Sequence, residues 1–440
     1  MNDALTTGRQ PGARIAQHPD RHSVVAELHA RPFESLAGPL RASHIAMQSA
    51  DADSDRAHVA RLCAACGQRQ PAADATHHSV ALGTFRLRWE RHTEFSTYTF
   101  FVTGAPADAF APFADPALLE VPEDWLGGLP GSLVAAVHLS LEPRDAPPRQ
   151  GHELPELFGT ENVAGSEAAD GGAQVFTDFR LHEDGYGWLL VQDRGLPARR
   201  TGRLVQRLLE IETYRLMALL AFPLARHSHA EVTRLDTGLQ RIIERITQTG
   251  SLESEQDLLD EISGLSAELE RDTAKTSFRL SAARAYHALV NRRIESLREQ
   301  RTLDLQTIGE FMERRFTPAM RTCESAMERQ EALARRVSRA ADLLRTRVDI
   351  ALEGQNRDLL ASMNRRTDLQ LRLQQTVEGL SVVVLSYYGT GLLYYMLRGL
   401  HGAGLEFNVD LAMGLSVPAV VLTVWVGIRI LRRRFVGGGE

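Results

Sequence analysis

Lysine is all but missing from this chain: Lys275 is the only one among 440 residues, and arginine carries the rest of the positive charge. We read this as the mark of a GC-rich coding sequence. Net charge is −6, which gives no sign of a nucleic-acid partner. There are only three cysteines. Cys63 and Cys66 form a lone CAAC, a spacing that can be a redox or half-zinc motif, but no second pair follows and its Ala-rich surroundings read as helical; Cys323 stands alone. Two incidental thiols in a reducing cytoplasm fit better. The opening MNDALTTGRQPGAR is polar rather than an apolar leader, and residues 1–14 are expected to be disordered. There is no P-loop, GxSxG, HExxH or metal-spaced carboxylate pair. No catalytic residue, metal site or cofactor is therefore assigned, and the chain is expected not to be an enzyme. Proline is absent from Ala319 to Leu397.

What the sequence does contain is two long apolar runs near its C-terminus. Residues 379–397 are uncharged, and residues 411–430 carry only Arg429, near the end where it can snorkel. Each run matches the roughly 20 residues that cross a bilayer as a helix. Residues 398–410 form a glycine-rich connector, read as an outer loop, and 431–440 a basic tail. Arg365, Arg366 and Arg372 precede the first run, and Arg432, Arg433 and Arg434 follow the second. The connector sets Arg398 against Glu406 and Asp410, so the positive-inside rule puts both termini in the cytoplasm. Neither run has a central carboxylate, which argues against a proton relay.

Residues 15–195 read as an α+β cytoplasmic domain. His78–His92 alternates apolar and polar at Phe85, Leu87 and Trp89, and Thr93-Glu94 turns into a second strand, Phe95–Val102. Leu133–Leu141 is a third. Ala173–Phe179 and Gly187–Gln192 flank Asp184-Gly185, a hairpin signal. Ser43–Gln48 is short and mixed. Asp53–Gln68 is helical, with Val59, Leu62, Cys63 and Cys66 on one face. Residues 142–172 read as a long polar loop. Ser23–Ala30 forms a short helix near His18, His22 and His29. These histidines with Arg31 leave metal ligation, a structural role, and a ligand or subunit contact at His29 and Arg31 as open readings.

From 197 to 318 the pattern is helical: Arg203–Phe222 stopped by Pro223, His229–Thr249, Ser254–Arg271, Phe278–Arg301 and Leu303–Phe316. Pro318 marks a kink or boundary. Residues 319–378 then form a stalk helix running into the first apolar run, so that Ala319–Leu397 as one helix would reach about 115 Å. Leu333, Val337, Leu344, Val348 and Leu352 form an apolar stripe on it. That stripe requires either the preceding helices or copies of itself in a homo-oligomer.

ELHARPF (27–33), WERHTEF (89–95), LVQRLLEIETYRLMALLAFP (204–223) and MNRRTDLQLRLQQTVEGLSVVVLSYY (363–388) resemble a bacterial family of uncharacterised membrane-anchored proteins. The likeness spans nearly the whole chain, implies the bacterial inner membrane and carries no activity. The layout is also similar to the CorA-type divalent-cation channels, pentamers whose first span lines the pore. Those carry Gly-Met-Asn after an aromatic residue at the outer end of that span. Here the nearest match is Tyr388-Gly389-Thr390, mid-span, with Met and Asn missing, so the resemblance covers topology and not the selectivity motif. It implies a homo-oligomer, a pentamer if CorA-like, with divalent or monovalent cations as cargo. Asp368, Gln375, Gly379, Val382, Ser386, Gly389 and Thr390 recur at helical spacing as the small, polar face. That face would line a pore, or pack closely against another helix. The alternative function is a membrane-anchored scaffold or sensor that transports nothing.

Overall fold

A computed structural model describes residues 18–21, 25, 33–49, 51–108, 110–248, 251–402 and 408–436. The chain folds into two compact units, Met1–Arg245 with Glu261–Ala340, and Ile246–Asp260 with Ala341–Glu440. His22, His29 and Arg31 lie outside the described residues, as does the short helix expected at 23–30 apart from Val25.

The first unit is α+β. Among the described residues it contains nine strands: β1 (Leu40–Gln48), β2 (His77–Leu82), β3 (Phe85–Arg91), β4 (Phe95–Thr103), β5 (Ser132–Glu142), β6 (Ala164–Ala168), β7 (Ala173–Thr177), β8 (Gly187–Asp193) and β9 (Gln300–Arg301). They form one sheet in the order β2-β3-β4-β1-β5-β8-β7-β6-β9. Neighbours are antiparallel except β5 and β8, which run parallel. The described residues of the two units together hold eight α-helices: α1 (Ala52–Ala65), α2 (Glu123–Gly127), α3 (Glu153–Phe158), α4 (Ala198–Leu219), α5 (Phe222–Gln248), α6 (Leu252–Leu297), α7 (Ile308–Gly402), which runs from the first unit into the second, and α8 (Val409–Val436), which belongs to the second.

Both sheet faces are covered, and the strand alternation sorts residues between them. On one side Ile45, Leu87, Trp89, Tyr98 and Phe100 pack with Val59, Leu62 and Cys63 of α1 and Trp125 of α2. On the other, Ala42, Phe95, Phe101, Val137 and Leu139 pack with Leu204, Leu208 and Ile211 of α4 and with Leu280, Val290, Met312 and Phe316 of α6 and α7. Cys63 is buried and Cys66 exposed, both as free thiols. Burial pushes the Cys63 thiol pKa up, as expected of a packing residue.

The elements differ from the sequence expectation at identifiable places. The alternating stretch 78–92 is two strands, because Gly83 takes φ +71° and turns the chain between β2 and β3. Residues 142–172 contain α3 and β6. The strand escapes notice because Ala164 and Ala168 bury small side chains rather than large ones. No break separates 271 from 278. Asp272 and Thr276 instead belong to a buried polar knot in which Gln330 Nε2 lies 2.8 Å from Ser228 Oγ, 3.0 Å from Asp272 Oδ2 and 2.9 Å from Thr276 Oγ1. Pro223 lies within the first turn of α5, where a missing N–H costs little. Pro318 lies inside α7, held from both sides by buried Phe316, Met320 and Cys323.

The apolar stripe on α7 is buried within the chain at Leu333, Val337, Leu344 and Val348, and becomes exposed at Leu352. In the first unit, Arg336 pairs with Asp236 of α5. In the second, Arg347 pairs with Glu255 at 2.9 Å and also donates to the Ile246 carbonyl. Glu255, in the acidic first turn of α6, thus has a structural partner.

Candidate functional site

Two features stand out: a polar cavity under α4 in the first unit, and the apolar helix pair in the second.

The cavity follows from register. Arg88 of β3 pairs with Thr99 of β4, and Thr99 with His44 of β1. Paired residues share a sheet face, so Arg88, Thr99 and His44 form a polar row across three strands. One step along, Glu90 pairs with Thr97. These residues interrupt the apolar face between Phe95 and Phe101, and α4 lies above them. The cavity encloses about 240 Å³. It is lined by Arg88, Glu90 and His92 from the sheet side and by Gln206, Glu210 and Tyr214 from α4, among others.

The charges are matched. Arg88 donates to Glu90 at 2.8 Å. Gln206 bridges, accepting from Arg88 at 3.5 Å and donating to Glu210 at 2.9 Å, and Arg293 of α6 pairs with Glu210. His44 is fully buried between two hydroxyls. Thr213 Oγ1 donates to the Leu209 carbonyl at 2.9 Å, so it accepts from His44 Nε2–H at 2.9 Å. Nδ1 therefore accepts from Thr99 Oγ1 at 2.8 Å. This arrangement fixes a neutral imidazole. Burial, reinforced by the Arg88 charge, holds its pKa down to about 3. With both nitrogens committed, His44 is a positioning group rather than a free base. Tyr214 stacks on Tyr286 with ring centroids 5.7 Å apart, and Tyr286 donates to Glu94 at 2.6 Å.

The roof of the cavity requires a glycine. A Cβ built on Gly202 would stand 1.7 Å from the Glu34 carbonyl oxygen, and Leu36 N–H donates to the Ala198 carbonyl at 3.0 Å. The 33–37 segment therefore lies directly on α4, and Arg203 covers the Phe33 ring at 4.8 Å. Gly202→Ala should displace this strap and lower stability by roughly 1–3 kcal/mol, the usual cost of overpacking. Urea unfolding followed by tryptophan fluorescence checks it; an unchanged midpoint would mean the contact is dispensable.

In the second unit α7 and α8 include two helices long and apolar enough to cross a membrane. Outward residues are open: Tyr387 is 77% exposed, Leu392 74% and Leu415 71%. Ser386 is 7% exposed, and a Cβ on Gly389 would lie 3.1 Å from Val420 Cγ1. Val382 and Thr390, one turn to either side of Ser386, are half-buried, as are Ala412, Ser416, Val420, Val424 and Ile428 on α8. The upper part of the stripe expected to be small and polar is thus the face on which α7 meets α8. Asp368, Gln375 and Gly379, lower on that stripe, are exposed.

Among the described residues no three His, Cys, Asp or Glu side chains converge as a metal-binding group. His44, Thr99 and Gln206 were not singled out from sequence. A polar residue opposite another polar residue on a face that is otherwise apolar is the signal that would have found them.

An α+β domain leading into a long helix and a terminal apolar helix points to a membrane-associated class of protein. Residues 16–435 match the family model described as protein of unknown function (DUF3422), and the chain belongs to that family. No curated protein matches the chain. Glu90, His92 and Phe95 of WERHTEF and Val205, Gln206, Leu209, Glu210, Thr213 and Tyr214 of LVQRLLEIETY all line the cavity under α4.

Proposed function

We propose that this protein is a membrane-anchored scaffold or sensor, non-enzymatic, held by a two-helix hairpin that crosses a bacterial inner membrane with both termini cytoplasmic. The observation that carries this reading is the small-residue face of the first apolar helix, with Ser386 buried and Gly389 under Val420 of the same chain. A hairpin that packs on itself through small residues is an anchor; a pore would keep that face for water. The arginine bias supports the orientation. The charge-balanced cavity under α4 supports sensing of a small polar molecule. Its guanidinium–carboxylate pairs would have to be rearranged by any ligand that carries net charge.

Reporter fusions after Glu440 and within residues 399–408 should read opposite sides. The purified protein in proteoliposomes should stay silent toward Mg²⁺, Co²⁺, Ni²⁺, Zn²⁺ and K⁺. Identical reporter readings would remove the hairpin, and sustained conductance abolished by a bulky residue at Ser386 would replace the anchor with a channel.

A further inference from the structure

The apolar stripe of α7 outlasts its cover. Leu344 and Val348 are buried in the second unit, where Arg347 pairs with Glu255 of α6. From Leu352 to Val377 every residue is exposed except Ser362, which is half-buried. That is roughly 39 Å of helix at 1.5 Å per residue, with nothing packed along it among the described residues. Such a helix gains little stability in water unless one face is buried.

Its side chains are sorted for burial of one face. Leu352, Leu359, Met363, Leu373, Val377 and Leu380 fall on one line whose steps alternate between four and three residues, with Asn356, Arg366 and Gln370 at its remaining positions. That alternation is the seam of a left-handed coiled coil. All six apolar members are exposed, Leu373 the most at 70%. Leu360 and Leu369 flank the seam, and Leu371 lies off it. Of the eight charged residues from 353 to 378, only Arg366 falls on the seam. Charge is thus kept off the face that a partner can cover and placed where water reaches it.

The helix itself limits what that cover can be. α7 runs without interruption from this stretch through the first apolar run to Gly402. A helix that goes on to cross a bilayer stands out from the membrane, so the lipid surface does not cover this face. The cover is then another helix running alongside. A second copy in the same membrane supplies one of equal length, in the same direction and at the same height. The polar positions also suit like meeting like. Asn356 and Gln370 each carry an amide that both donates and accepts, so each is complementary to its own counterpart.

We propose that residues 352–380 pair with the same segment of a second copy of this chain as a parallel, in-register coiled coil. Arg366 then meets its own counterpart. This weakens the pair, and it fixes the register, as a lone polar residue on such a seam does. The parallel sense rests on the anchored-hairpin reading; the exposed seam does not.

The test is cysteine crosslinking of the full chain in membranes, in a Cys66→Ser background that removes the exposed thiol. Under mild oxidation Leu359→Cys and Leu373→Cys should each give a disulfide-linked product at twice the 48.7 kDa chain mass. Asp358→Cys and Arg372→Cys, one position away and off the seam, should form it at least about tenfold more slowly. If a cysteine variant fails to fold, the other neighbouring pair decides. By sedimentation in detergent, Arg366→Leu should hold the dimer down to about tenfold lower protein concentration, because a like-charge contact is gone. Equal rates at 358 and 359, a product with a chain of different mass, or a monomer in detergent with no crosslink in membranes overturns the proposal. Reporter fusions keep the two readings apart. Opposite-side readings without crosslinking remove the pairing and leave the anchor; identical readings with crosslinking at Leu359→Cys remove the anchor and leave the seam.

Discussion

Asp55→Ala should destabilise the α+β unit by roughly 3–5 kcal/mol, the cost of stripping one partner from a buried ion pair. Asp55 has no exposed surface, and its Oδ2 accepts from Arg91 at 2.9 Å and from Ser96 Oγ at 2.6 Å. Trp89 Nε1 in turn donates to Ser96 Oγ at 3.3 Å, so one carboxylate ties α1 to the ends of β3 and β4. Removing it takes the Asp55 carboxylate away from Arg91, which also donates to the Ser49 carbonyl at 3.0 Å. Asp55→Asn keeps the shape and should cost less. The double change Asp55→Leu with Arg91→Met should cost less than the sum of the two single changes, because no charge is left stranded. Urea unfolding of all four chains measures this, and strictly additive costs would show that the pair is not coupled.

Acidification should unfold the wild type earlier than a His44→Gln variant. The folded imidazole has a pKa of about 3, against an ordinary value of 6.5. The unfolded chain therefore binds a proton that the folded chain refuses. Stability from this residue is complete above pH 6.5 and falls as the pH drops from there toward 3, by about 1.4 kcal/mol per unit. Glutamine keeps a donor and an acceptor for Thr213 and Thr99 without titrating. Unfolding free energies measured between pH 7.5 and 4 should diverge below 6.5 in the variant's favour. Parallel curves would mean that His44 gains a proton in the folded chain without cost.

Much of the architecture was legible because it is locally encoded. Phe85, Leu87 and Trp89 alternate, Asp184-Gly185 turns β7 into β8, and two apolar runs of membrane length end the chain. What stayed hidden was non-local. Pro318 reads as a boundary only while Phe316 and Met320 are seen without the core that grips them. The cavity was half legible: Glu90, Gln206 and Glu210 lie in segments that carry the family likeness. His44 sits in a stretch that reads as short and mixed. It acquires a role only when Thr99, 55 positions on, and Thr213, 169 positions on, come to either side of it.

β9 has a consequence for how the sheet can be assembled as the chain is made. It is two residues between α6 and α7, pairing Arg301 with Ser166 and Gln300 with Glu167. Gly165 N–H likewise donates to the Gln306 carbonyl at 2.9 Å, and Ala169 N–H to the Leu297 carbonyl at 2.8 Å. These partners are synthesised about 130 residues after β6, a delay of roughly ten seconds at ordinary translation rates. Throughout that interval the outer edge of β6 has exposed main-chain donors and acceptors, an invitation to pair with a neighbouring nascent chain. Ser166, Glu167 and the small alanines at both ends give such an encounter little apolar surface to bury, so the emerging edge is shielded by composition until its late partner arrives.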